Sequence, residues 1–100
     1  MISVYVTCKN KQEAVNISRL LLQKKVIACS NIFPINSLYN WKGKLNEEKE
    51  YAMLLKTKKS KFNEVKELIK QNHSYEVPCI CSWKEKANKE YEEYIDEEVK

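Results

Sequence analysis

The chain has 100 residues, 43% of them hydrophobic and 32% charged, which suits one domain with one small core spanning 1–100. Its 18 Lys+Arg outweigh 14 Asp+Glu for a net charge of +4, but Arg19 is the only arginine; specific nucleic-acid readers lean on arginine, so no nucleic-acid partner is expected. No apolar stretch approaches the roughly 20 residues of a spanning helix, and Met1–Val6 lacks the basic region and cleavage site of a secretory leader, so the expectation is a soluble cytoplasmic protein with no membrane partner.

Ile2 to Cys8 is rich in β-branched and aromatic residues and apolar on both faces, as a central strand is. Asn10 followed by Glu13 reads as a capping box. Ala14, Ile17 and Leu21 recur at helical spacing, predicting a helix to about Lys24 or Lys25 with basic residues at its C-terminal end. Val26 to Phe33 reads as a second strand. Pro34 implies an edge or a bulge. Beyond it Ile35, Ser37, Tyr39 and Trp41 share one face of an extended strand. Lys42-Gly43 makes the turn, the glycine supplying the positive φ of a type II turn or bulge. The chain returns from Lys44 to Thr57, with the acidic stretch Glu47 to Glu50 outside the core. Ser60 or its neighbour caps a helix built on Phe62, Val65 and Ile69 that ends near Asn72. Val77 to Trp83 is the last strand, and Asn88 caps a terminal helix with Tyr91, Tyr94, Ile95 and Val99 as its apolar stripe.

The order β, α, β, β, α, β, α begins with the split-βαβ plan. The predicted fold is therefore α+β: a ferredoxin-like βαββαβ sandwich with an extended central hairpin and an extra C-terminal helix. Right-handed crossovers place the first and third strands centrally and both main helices on one face. Because many functions share this topology, the site must decide. An RNA-recognition module needs exposed aromatics in a glycine-containing pattern on its third strand, which Glu50 to Lys56 lacks. Acyl-phosphate hydrolysis needs an anion-cradling loop after the first strand, and Cys8-Lys9-Asn10-Lys11 has no glycine. His73, the only histidine, has no second base or phosphate loop beside it. No nucleophile–base–orienter set can be assembled, so an enzyme is not expected. Cys8, Cys29, Cys79 and Cys81 lack the two-residue gap of a zinc knuckle and are expected as free thiols in strands or core.

Five segments in order carry a resemblance that spans the chain: Val4-Tyr5-Val6-Thr7-Cys8, then Lys24 to Pro34, Ser37 to Lys44, Leu55-Lys56-Thr57-Lys58, and His73-Ser74-Tyr75-Glu76-Val77-Pro78. Together they resemble the CutA divalent-cation-tolerance proteins. The resemblance implies a homotrimer whose long hairpins pack between neighbours, similar in shape to the PII signalling proteins. It also implies tolerance of copper and other divalent metal ions, with no established reaction. It further places a copper site at a first-strand cysteine and two adjacent histidines. Cys8 matches the cysteine and His73 the second histidine, while Asn72 stands at the first and Ser74 replaces a common proline.

A thiolate with an imidazole suits copper or zinc, yet two protein ligands are too few for a closed site. The competing expectations are a buried apolar role for Cys8 and a capping or structural role for His73. A second constellation, Tyr39, Trp41, Lys44, Lys56, Tyr75 and Glu76, is expected at an intersubunit cleft or interface. There it either seals the trimer or binds a small anion or metabolite, as a PII-like signalling or scaffold protein would, with Lys56 and Glu76 paired across it.

Overall fold

The computed structural model describes residues 1–100. Strand β1 (Ile2–Cys8) lies at the centre of a four-stranded antiparallel sheet with strand β3 (Lys44–Thr57). Strands β2 (Cys29–Trp41) and β4 (Ile80–Lys84) form the edges, in the order β2-β3-β1-β4. Helices α1 (Lys11–Gln23) and α2 (Phe62–Asn72) cover one face. The period-2 alternation of β1 turns Val4, Val6 and Cys8 toward that layer. There they meet Met53 and Leu55 of β3, Ala14, Ile17 and Leu21 of α1, and Val65 and Ile69 of α2 in one apolar core. Helix α3 (Lys89–Glu98) builds a smaller cluster of Ala28, Ile95 and Val99. Tyr91 Oη lies 3.1 Å from Cys29 Sγ at its edge. No helix is long and apolar enough to cross a membrane.

The α+β ferredoxin-like plan is the observed one, and several local expectations are corrected. Strand β2 starts at Cys29 rather than Val26 and runs through Pro34, which pairs with Tyr51 in unbroken register. The edge position accommodates the missing N–H without a bulge. Ser60 lies in a 3-10 turn (Lys59–Lys61), and helix α2 has no side-chain cap. Strand β4 is five residues long and begins after Pro78. The C-terminal end of α1 has no basic residue in its last turn. Of the expected strand or core positions, Cys81 takes the strand, in β4, and Cys79 just precedes it; both are exposed, and their shared face brings the sulfurs to 3.4 Å. At the hairpin, Lys42 and Gly43 both take positive φ, 50° and 76°, the signature of a two-residue type I′ turn rather than type II.

The register explains the hairpin's shape. Strand β1 pairs only with Tyr51–Thr57 of β3. From Ile35 to Glu50 the two strands run on as a ribbon paired only with each other. Glu47, Glu48 and Lys49 on it are exposed, but Glu50, expected outside the core, is buried at the ribbon's root.

Candidate functional site

The C-terminal end of β1, the N-terminus of α1 and the C-terminus of α2 converge beneath the hairpin root. Cys8 ends the inward row of β1 and is fully buried. Burial, then the charges of Glu13 and Glu50, push its thiol up to about 12. Asn10 caps α1 by accepting the Glu13 amide at 2.9 Å, and Glu13 reaches back to accept the Lys9 amide at 3.1 Å, the reciprocal bonding of a capping box shifted by one residue. The other Glu13 oxygen accepts the Ser74 amide at 2.9 Å. Partial burial pulls the Glu13 carboxyl upward, but the Ser74 and Lys9 bonds and the His73 ring outweigh it and hold the group below the ordinary glutamate value.

His73 caps α2 in an extended conformation and turns its ring into this junction. Its Nδ1 accepts the Tyr75 amide at 3.1 Å. That assigns the ring proton to Nε2, which donates to the Thr7 carbonyl at 2.8 Å. One donor atom each from Cys8, Glu13 and His73 lies within 4.8 Å of the others. The sequence-predicted pair is thus brought together, with a third donor. A thiol, an imidazole and a carboxylate suit copper or zinc in type, and three protein donors leave a position open. Each donor is meanwhile engaged: an ion must displace the thiol proton and a hydrogen bond of the ring. Asn72, at the position of a second histidine, turns away and bonds the Leu68 carbonyl of its own helix at 2.8 Å. Glu13 was legible as a cap but not as a metal donor. Its signal was position, one helical turn past a strand-ending cysteine.

Beside this junction a cleft of about 720 Å³ opens between the hairpin root and the segment after α2. Tyr39, Trp41, Tyr75 and Glu76 line it, joined by Glu50. Tyr75 Oη donates to Glu50 Oε2 at 2.5 Å. Burial, then that bond, raises the phenol well above its usual range. Tyr39 Oη donates to Glu48 at 2.9 Å. Two predicted members are absent. Lys44 closes the hairpin turn opposite Trp41, outside the cleft. Lys56 pairs with Glu85, not Glu76, and donates to Ser3 Oγ at 2.6 Å. Neither lysine lines the cleft within one chain.

The model of the CutA1 divalent ion tolerance protein family matches residues 2–98. The chain belongs to this CutA family. The divalent-cation tolerance protein CutA of Archaeoglobus fulgidus is 45% identical over 97 residues, 96% of this chain and 95% of that one. Among solved structures, the periplasmic divalent cation tolerance protein CutA from the same organism matches with a TM-score of 0.97 at 44% identity, covering 100% of both chains. The PII-like protein CutA from Nostoc sp. PCC 7120 matches with a TM-score of 0.93 at 25% identity, covering 100% of this chain and 98% of that one. This CutA chain keeps the backbone of those two structures.

Proposed function

We propose that this CutA protein is a homotrimeric divalent-cation tolerance protein of one domain, binding copper or a similar ion without catalysing a reaction. The observation that carries the reading is the convergence of Cys8, Glu13 and His73 within 4.8 Å. Because Glu13 and His73 are hydrogen-bonded to backbone groups around them and the Cys8 thiol must lose its proton, the binding is reversible exchange rather than a closed structural centre. A cytoplasmic location suits the free thiols, which a reducing compartment preserves. Calorimetry of the reduced protein with copper and with zinc tests the site. The expected result is saturable binding that Cys8→Ser and His73→Ala each weaken by about a hundredfold or more, beyond the loss expected for an outer hydrogen-bond partner. Unchanged binding in the folded double variant would sink the assignment.

A second reading is favoured by the cleft: a PII-like signalling or scaffold trimer that receives a metabolite between subunits. The aromatic side chains on its wall and the enclosed Glu50 support it.

A further inference from the structure

His73 has one lone pair to give, and the protein already uses it. A neutral imidazole carries a proton on one ring nitrogen and a lone pair on the other. The Tyr75 amide donates to Nδ1 at 3.1 Å, and Nε2 lies 2.8 Å from the Thr7 carbonyl, which can only accept. An ion has two ways onto this ring. At Nδ1 it takes the place of the Tyr75 amide. At Nε2 it sends the ring proton to Nδ1, where a donor then faces a donor. Either way the bond from the Tyr75 amide is lost. Glu13 faces no such choice. Each carboxylate oxygen has two lone pairs, so Oε2 can keep the Ser74 amide while Glu13 turns a remaining lone pair to the ion.

Tyr75 carries the change outward. Its ring lies against that of His73, centroids 4.9 Å apart, and its Oη donates to Glu50 Oε2 at 2.5 Å. Glu50 is buried at the root of the hairpin and takes part in none of the ion pairs, so the Tyr75 phenol is the side chain that satisfies it. One residue is thus held at its backbone by the metal junction and at its tip by the root of the hairpin arm. A part-buried amide without an acceptor is costly, so the turn from His73 to Tyr75 rotates to find another, and the phenol moves with it. We propose that the two holds are coupled: an ion on His73 frees the Tyr75 amide and loosens the phenol's grip on Glu50, so that occupancy of the Cys8, Glu13 and His73 site is signalled to the hairpin root. This rests on the metal-binding reading above. Both Tyr75 bonds lie within one chain, so the coupling does not depend on an open cleft. Coupling is reciprocal, so releasing the phenol from Glu50 also favours the ion.

Zinc, which is diamagnetic, is the probe, added to the reduced parental protein. Calorimetry reports binding, the ring-nitrogen NMR shifts of His73 report its ligation, and amide hydrogen exchange reports the bonds at Ser74 and Tyr75. Saturating zinc is expected to speed exchange at the Tyr75 amide by about tenfold or more, with Ser74 changing less. Tyr75→Phe, which removes the hydroxyl and keeps the ring and the amide, is expected to bind zinc about fivefold tighter. Neither heat nor a ring shift on adding zinc overturns the metal site, and the coupling with it. Zinc bound with the His73 ring unshifted removes His73 from the site and overturns the coupling. Zinc bound with the ring shifted but the Tyr75 amide still protected overturns the coupling and leaves the metal site standing. Parental zinc affinity in folded Tyr75→Phe confines the change to the junction and overturns the signal to the hairpin root.

Discussion

Lys56, Ser3 and Glu85 show how a single polar contact is held in this sheet. Ser3 is fully buried on β1, and Lys56 on the neighbouring strand donates to both Ser3 Oγ and Glu85. The Lys56 hydrogen bond first, then Ser3, holds the Glu85 carboxyl below its ordinary value. A carboxylate lowered on folding stabilises the protein above the unfolded value, about 4.3 for glutamate, and that contribution is lost as pH falls through the folded value. Glu85→Gln is therefore expected to be less stable than the parent at pH 7, with the difference shrinking below about pH 4; urea melts across that range check it. A constant difference from pH 7 down to the acid limb would mean that packing, not charge, sets the effect. At this scale the sequence was partly legible. Asn10 and Glu13 announced a cap because short polar and acidic side chains at that spacing satisfy free amides. Glu50 was not legible. In a run of acidic residues nothing local marks the one whose alternate position meets Tyr75 across the chain.

At the scale of elements, hydrophobic period and breaker residues placed every helix and strand, and the errors fall at their ends. Helix α1 ends in a Schellman motif: the Val26 amide bonds the Leu21 carbonyl at 3.2 Å and the Lys25 amide bonds Leu22 at 3.0 Å. Lys25 occupies its left-handed position, φ 58°, where glycine is usual. Lysine there hides the stop signal, so the following strand was read as starting too early. Val26 to Ala28 are instead a buried connector, held where Thr57 Oγ1 donates to the Val26 carbonyl at 2.6 Å. A residue with a Cβ enters the left-handed region at a cost of about 1–2 kcal/mol. Lys25→Gly is expected to stabilise the protein by about 1 kcal/mol after glycine's greater unfolded-state freedom is counted. The Lys25 carbonyl still accepts the Lys100 amide, a 2.9 Å bond that needs no side chain. The denaturation midpoint at fixed protein concentration measures the shift, and a destabilised variant would show that the lysine stem contributes more than the strain it carries.

At the scale of the molecule the hairpin dominates. The chain extends 44 × 25 × 21 Å, and its ribbon from Ile35 to Glu50 is supported by neither β1 nor a further strand. Isolated two-stranded ribbons are marginal in water. This one carries apolar residues on both faces. Leu38 and Leu45, 64% and 72% exposed, share one face by register, and Tyr39 and Trp41, 38% and 42% exposed, share the other. A two-fold contact at a single patch would cover one face and leave the other wet. A closed three-fold ring uses two different surfaces of each subunit, so an arm lodged between neighbours has both faces covered. That geometry is consistent with the proposed trimer, which sequence reading reached only through the family resemblance, because length and aromatic content alone do not say how many faces need a partner. Sedimentation equilibrium is expected to give three times the chain mass of 11.9 kDa. The Leu38→Glu, Leu45→Glu variant puts two charges on the first face without touching the core, and is expected to shift that mass toward the monomer while far-ultraviolet dichroism shows the sheet and helices intact. A wild-type chain that remains monomeric at micromolar concentration would overturn the arm's role. A charged variant that stays trimeric would mean that the Tyr39 and Trp41 face holds the ring by itself.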